Sequence, residues 1–303
     1  MPISRPLAGM LLVAFGSIGF GVMPLFARTA YAEGLTPLSL MVWRFGIAVL
    51  CCLPLLPHLL RRDGNQRRNL RFAVIAGACY IGSMVFYFVA LQYLSVALTV
   101  LILFTYPLFT ILVGWLGFRE KLTLRNAVAA LLVLLAATLI LWPSLSAEAG
   151  LNDQQKLAVL LAFIPPFAYA VFVHVAARRM GGMTIRTRLG GVFFGGLLTM
   201  VAMTLVVEGS IILPASPLAW AACAALAIFS TFGSLGLMMV GAPMAGAERS
   251  SIAGAGELVT ALLVGLLAYN EAVTMNTLMG AALILLAIAV AAQGSDQKQE
   301  KSP

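Results

Sequence analysis

The strongest constraint on this chain is a series of ten apolar runs, each close to the 20 or so residues that an α-helix needs to cross a bilayer. Hydrophobic residues make up 61% of the 303 residues and charged residues only 10%, whereas soluble domains carry about 25% charged residues. The connections between the runs are too short to fold alone. The sequence therefore predicts an all-α integral membrane protein with ten transmembrane helices. The runs are 7–27, 38–57, 72–93, 96–118, 124–141, 157–177, 184–207, 218–240, 250–268 and 273–292.

The basic residues predict how these helices are oriented. If the N-terminus is cytoplasmic, sixteen of the nineteen Lys and Arg residues fall in inside segments, Arg28 and Lys156 fall outside, and Arg44 lies within a span. This is the charge bias of inner loops in membrane proteins. We expect both termini in the cytoplasm, and we attribute the net charge of +8 to topology rather than to a nucleic-acid surface.

A short sequence recurs halfway along the chain. The corner Glu120 to Thr123 in GFREKLT returns as Glu271 to Thr274 in AYNEAVT, 151 residues later. Because each half holds five spans, an odd number, the second half must enter the membrane from the opposite side, as in transporters with inverted repeats. We predict a first five-helix repeat at 1–143, an outside link at 144–156, a second, inverted five-helix repeat at 157–293 and a cytoplasmic tail at 294–303.

The repeated corner predicts a structural role for its acids and threonines. Thr123 and Thr274 are candidate N-caps of the fifth and tenth helices. Glu120 and Glu271 lie in the turns before them, near the positive ends of helices, where an acid is stabilised. We therefore predict structural or gating roles for the two glutamates.

Glu257 is the one acid well inside a span, and an ionisable residue there is costly unless it has a function or a partner. It is a candidate for binding a substrate ammonium group or carrying a proton, and His174 is a second candidate proton carrier. The alternative for Glu257 is a structural glutamate that is hydrogen-bonded or paired with an arginine.

Neutral polar residues at similar depth predict the wall of a substrate site. Tyr80 and Tyr87 lie on one face of the third span with Met84 between them. Rings and hydroxyls around one acid suit a small amphiphilic metabolite, whereas helix packing alone is the alternative. The further candidate wall residues are Tyr106, Tyr169, Thr231 and Ser234.

Two arginines and several prolines are expected to support the helices. Arg44 in the second span and Arg188 in the seventh occupy similar repeat positions, which favours interfacial anchors that bond loop carbonyls or reach toward the membrane surface. Attraction of a carboxylate by Arg44 is the alternative. Pro24, Pro107 and the pair Pro165–Pro166 are expected to interrupt spans.

Several of these features together resemble the drug/metabolite transporter superfamily, in its EamA-type ten-helix branch. They are Trp43-Arg44-Phe45, the run Ala90 to Ala97 leading to Tyr106-Pro107, the corner Glu120 to Thr123, and in the second half Glu257, Glu271 to Thr274 and Gly280.

The resemblance implies an exporter of amino acids or related small metabolites in the bacterial inner (plasma) membrane, with a central cavity lined by both halves. Members often carry a Glu-Pro pair in the ninth helix, whereas Leu258 follows Glu257 here. Transport in the family is driven by proton exchange or by the substrate gradient alone, and both remain open for this chain.

Other functions receive less support from the sequence. An enzyme would need clustered acids, histidines or a nucleophile with its base, and the chain has only two histidines and one deep acid. A nucleotide-binding loop is missing, and no cofactor or metal is expected. The alternatives on the same fold are a channel and a lipid or drug efflux carrier. The expected partners are a small-molecule substrate, the lipid bilayer and candidate coupling protons, with monomer and homodimer both open.

Overall fold

The protein is a bundle of α-helices in a computed structural model, which describes residues 5–53, 64–119, 123–146, 151–179, 183–245, 253–254 and 256–292. No strand occurs in these ranges. The helices of the first half are α1 (Arg5–Gly21), α2 (Met23–Ala32), α3 (Pro37–Cys52), α4 (Gly64–Tyr93), α5 (Val96–Leu103), α6 (Tyr106–Phe118) and α7 (Leu124–Ser146).

The second half is also helical but contains one stretch with a wider turn. Its helices are α8 (Asp153–Ala162), α9 (Ile164–Arg179), α10 (Ile185–Val207), α11 (Pro217–Ala227), a π-helix (Ile228–Gly233), α12 (Ser234–Ala245), α13 (Gly256–Tyr269) and α14 (Met275–Ala292).

Within the described ranges, six stretches are long and apolar enough to cross a membrane, and four shorter apolar helices accompany them. Each predicted span coincides with one of these ten segments, although the number that cross the bilayer stays a prediction. Many large apolar side chains on their outer faces are exposed, including Phe15, Leu116, Val206 and Leu267. In a bilayer this surface contacts lipid tails, so the all-helical membrane fold is confirmed.

Contacts between the halves occur in matched sets. The third span packs on the seventh (α4 on α10), and the eighth packs on the second (α11 and the π-helix on α3). The third also packs on the sixth (α4 on α9), while the eighth packs on the first (α12 on α1). The fifth and tenth spans, α7 and α14, pack on each other. This pattern is expected of two related five-helix units.

The residue that precedes the repeated corner has the same backbone conformation in both halves. Arg119 and Asn270, each one residue before the repeated glutamate, have φ values of 55° and 51° and are the two described non-glycine residues with positive φ. Thr274 accepts a hydrogen bond from the Thr277 amide at 3.2 Å and caps α14, as predicted. Thr123 occupies the corresponding position before α7, and Glu120 lies outside the described residues.

Glycines allow α10 to approach α4 closely. A Cβ atom on Gly191 would lie 2.5 Å from the Cβ of Ala73. A Cβ on Gly195 would overlap the backbone carbonyl of Val74. Such backbone proximity strengthens the van der Waals packing on which helix association in membranes depends.

We expect Gly195→Ala to lower stability by about 1–3 kcal/mol, because the added methyl group must separate α10 from the backbone of α4. Thermal unfolding in detergent should show a lower midpoint. Gly236→Ala is the matched control, because no atom lies within 4 Å of the position of its Cβ and alanine is the better helix former. Equal midpoints for the two variants would contradict the close approach.

Glu271 joins three parts of the bundle at the predicted outer face. Its carboxylate accepts hydrogen bonds from the amides of Val96 at 2.8 Å and Ala97 at 3.1 Å, at the N-terminus of α5. It also accepts one from Arg28 Nη1 at 3.0 Å, while Arg28 Nη2 donates to the Leu94 carbonyl at 2.8 Å. An acid at a helix N-terminus with an arginine beside it is strongly stabilised. This geometry agrees with the structural role predicted for Glu271.

We expect Glu271→Ala to destabilise the protein by about 1–3 kcal/mol, because two helix amides and one guanidinium lose a charged acceptor. The side chains of this pair are only 22% and 14% exposed. Asp153→Ala is the control, since it breaks the Lys156–Asp153 pair, whose side chains are 58% and 100% exposed, and it should destabilise the protein less than Glu271→Ala does, because exposed ion pairs contribute little. Unfolding midpoints measured in one detergent compare the two, and a larger loss for Asp153→Ala would contradict this prediction.

Candidate functional site

Four spans are irregular at their interior. The first breaks between Gly21 and Met23, the fourth at residues 104–105 and the sixth at Phe163, while the eighth widens into the π-helix. Proline follows each of the three breaks, as Pro24, Pro107 and Pro165–Pro166 predict, because its ring prevents a regular turn. Irregular backbone within a membrane is tolerated where it faces protein or a wet cavity. These interruptions therefore mark the interior where a site is expected.

Three of the predicted wall residues form an aromatic group that we call the tyrosine cluster: Tyr80, Tyr106 and Tyr169. The Tyr169 ring lies 5.1 Å from that of Tyr106 and 5.6 Å from that of Tyr80, measured between centroids. Tyr80 also stacks on Phe172 at 4.7 Å. These contacts join α4, α6 and α9, and so bring both halves together. Tyr87, two turns after Tyr80 on α4, is almost fully buried and packs edge-on against Phe88.

Glu257 lies beside this cluster at about half the depth of a bilayer. It is twelve residues before Tyr269, the end of α13, or about 18 Å along the helix axis, within a hydrocarbon core of about 30 Å. Its backbone packs on Gly21, at the break of the first span, where an added Cβ would lie 2.7 Å from the Glu257 carbonyl oxygen. Its side chain is half-buried and interacts electrostatically with Tyr80, Tyr87, Tyr106 and Tyr169.

Glu257 differs from the other acids of the described ranges in having no partner. Its carboxyl makes no hydrogen bond or salt bridge with a protein group in the residues that the structure describes. In contrast, Glu33 accepts from Ser216, Glu208 from Thr36 and Ser39, Asp153 from Lys156, and Glu271 from Arg28. The four tyrosine hydroxyls near Glu257 likewise make no hydrogen bond within the described chain. An acid and several hydroxyls thus lie together without a hydrogen-bonding partner among the described residues.

Arg44 is placed differently from the expectation. It is only 6% exposed, and its Nε donates to the Thr231 hydroxyl of the π-helix at 2.6 Å. Its guanidinium lies 5.2 Å from the ring centroids of both Phe45 and Phe88. Arg44 therefore bonds a residue of the eighth span rather than loop carbonyls, because the second span turns this face toward the eighth.

The remaining predicted residues lie in four different places. Thr231 accepts a hydrogen bond from Arg44. Ser234 donates to the Phe229 carbonyl at 2.8 Å and faces Gly19 of α1. Arg188 lies in the first turn of α10 and is less buried than Arg44. His174 is buried one turn beyond Ala170, whose carbonyl lies 2.9 Å from its Nδ1, and it stacks on Phe118.

Two contributors to this region were missed at the sequence level. Tyr31 is an electrostatic neighbour of Arg44 and donates to the Phe88 carbonyl at 2.9 Å. Phe172 covers Tyr80. Tyr31 follows the first predicted span, and Phe172 resembles any apolar residue of a span, so hydropathy gives no signal for either. The spacing of Phe172, three residues after Tyr169 and therefore on the same face of α9, is the one available clue.

Comparison with known proteins adds evidence of a different kind. Residues 7–142 match the model of the EamA-like transporter family. No curated protein matches the chain. A solved structure titled "Crystal structure of protein" is similar over 97% of this chain and 99% of its own, with a TM-score of 0.65 and 18% sequence identity. At that identity the likeness concerns the fold alone. The resemblance expected from the sequence is confirmed over residues 7–142, the part of this multi-pass membrane protein that matches the EamA-like transporter family of the drug/metabolite transporter superfamily.

Proposed function

We propose that this protein is a secondary transporter that exports small neutral or zwitterionic metabolites, such as amino acids, across the bacterial inner membrane. The observation that carries the proposal is Glu257, a mid-depth acid near several tyrosines; in the described part of the chain, neither its carboxyl nor their hydroxyls have a hydrogen-bonding partner. Membership of a transporter family makes a small-molecule substrate the natural partner of such a group. A carboxylate suits a substrate ammonium group, and the tyrosine rings suit an apolar side chain.

The proposed mechanism is alternating access between the repeats at 1–143 and 157–293. The broken first, fourth and sixth spans meet near Glu257 and would let each half change its tilt without disrupting whole helices. Opening toward the outside would separate polar contacts at the predicted outer face, including Glu271 with Arg28 and Glu208 with Thr36. When the substrate leaves, a proton on Glu257 would neutralise the acid, which makes protons the candidate coupling ion.

One observation favours a lipid or drug efflux carrier as the alternative. An apolar groove of about 550 Å³ lies between the first span and the π-helix. It is lined by Phe15, Ile18, Gly19, Val22, Phe26, Phe229, Gly233, Ser234 and Leu237. Because Phe15 and Phe229 are 65% and 63% exposed, the groove opens sideways, where lipid is present. An acyl chain or an apolar drug would fit this surface better than an amino acid would.

Counterflow in proteoliposomes tests the proposal. Vesicles are loaded with a mixture of amino acids and nucleosides, and labelled tracers are added outside one at a time. We expect saturable exchange of at least one amino acid by the wild-type protein. A carrier that releases unlabelled substrate outside can bind labelled substrate there and carry it into the vesicle. In Glu257→Gln we expect the exchange rate to fall roughly 10-fold or more, since a charge-assisted hydrogen bond to the substrate is lost.

Asp153→Asn is the matched control, because it removes one acid from an exposed site and should leave exchange unchanged. Full exchange in Glu257→Gln would contradict the role of Glu257. If folded wild-type protein exchanged no soluble solute, and a fluorescent lipid moved between leaflets instead, the lipid carrier would replace the amino-acid transporter. Flux without saturation or counterflow would indicate a channel.

A further inference from the structure

We propose that Arg44 binds the carboxylate of the substrate, so that the site takes zwitterionic α-amino acids in preference to amines and uncharged solutes. This inference rests on the proposed transport function and names its substrate class more narrowly. It depends on three observations: the hydrogen bond that fixes Arg44, the absence of an oxygen acceptor for its Nη groups among the described residues, and the position of Arg44 relative to Glu257.

Arg44 is held through one edge of its guanidinium. The Nε donates to the Thr231 hydroxyl at 2.6 Å, and that hydroxyl donates onward to the Leu226 carbonyl at 2.9 Å. Leu226 lies five residues before Thr231, the spacing of the π-helical turn that carries the hydroxyl. Single π-turns within α-helices frequently occur at functional sites. The π-helix thus fixes the Nε edge of the guanidinium and leaves the two Nη groups for another partner.

The two Nη groups have no oxygen acceptor in the described part of the chain. Nη1 makes one weak contact, 3.8 Å from the Met41 sulfur, and no carboxylate pairs with Arg44 there. Its electrostatic neighbours are the neutral hydroxyls of Tyr31, Tyr80 and Tyr87. A buried cation without a counter-anion is costly, and the nearby Phe45 and Phe88 rings offset only part of this cost. An arginine fork of this kind matches a carboxylate, which binds it through two parallel hydrogen bonds.

Arg44 and Glu257 provide opposite charges around the same tyrosines. They form no salt bridge with each other. Tyr80 and Tyr87 each interact electrostatically with both of them. A solute between the two charges would meet a cation on the side of the second span and an anion on the side of the ninth. An α-amino acid carries the complementary pair, with its ammonium toward Glu257 and its carboxylate toward Arg44.

The test compares each acid with its primary amide, which keeps the ammonium group but has no carboxylate. Leucine, phenylalanine and threonine, with their three amides, compete against the labelled amino acid that shows the fastest wild-type counterflow. We expect each amide to compete roughly 10-fold less well than its acid, as the loss of a bidentate charged contact implies. In Arg44→Gln the acids should weaken to the level of the amides, while the amides stay unchanged.

Two further variants keep the test decisive if Arg44→Gln does not fold. Arg44→Lys keeps the charge but loses the fork, so the acid-to-amide ratio should shrink without vanishing. Thr231→Val keeps Arg44 but removes the acceptor of its Nε, so the ratio should also shrink. Asp153→Asn should show the wild-type ratio.

If the wild-type protein performs counterflow but acids and amides compete equally well, the role of Arg44 is overturned and the transporter proposal stands. An unchanged ratio in folded Arg44→Gln does the same, and would assign the guanidinium to packing or to an inorganic anion. Absence of counterflow for every amino acid overturns the transport proposal, and this inference with it.

Discussion

A charged side chain inside a bilayer must find compensation within the protein, and two charged side chains of this protein do not find an opposite charge among the described residues. Arg44 has a neutral hydroxyl and aromatic rings around it. Glu257 has only tyrosines as its electrostatic neighbours. The two lie close to the same tyrosines yet do not pair. A ligand with complementary charges would supply the opposite charge that each of these side chains lacks among the described residues.

The rest of the fold holds these two groups at depth without placing them in one rigid helix. In a regular helix the backbone N–H and C=O groups bond to each other. The breaks near Gly21, at residues 104–105 and at Phe163 release some of these groups in the interior. Glycines set the α4–α10 contact at backbone distance. At the predicted outer face, Glu271 joins α5 to Arg28 of the first span. The interior is therefore irregular and polar, while the periphery is closely packed or bonded.

Much of the fold could be predicted from the sequence, because hydropathy and charge bias act on whole segments. The described part of each of the ten apolar runs is helical, and the residue before each copy of the repeated corner, Arg119 or Asn270, has a positive φ. The depth of Tyr80, Tyr106 and Tyr169 also followed from the sequence, and their rings lie together in the structure. Helix formation and depth depend largely on local sequence.

The environment of Arg44 could not be predicted in the same way. Its burial depends on which helix lies opposite, and its hydrogen bond depends on a π-turn that no residue type specifies. Ser234 directly follows the π-helix, and it faces Gly19 of α1. Depth along a helix is readable from sequence, whereas the direction of a side chain after an irregular turn is not.

The central claim is that the substrate binds between Arg44 and Glu257. A structure with a bound amino acid tests this claim most directly. Cryo-electron microscopy of the protein with an excess of its best-exchanged amino acid would show where the solute lies. We predict density beside the tyrosine cluster, with the ammonium group toward Glu257 and the carboxylate toward Arg44. Density in the lateral groove between the first span and the π-helix, with none near Glu257, would contradict the account.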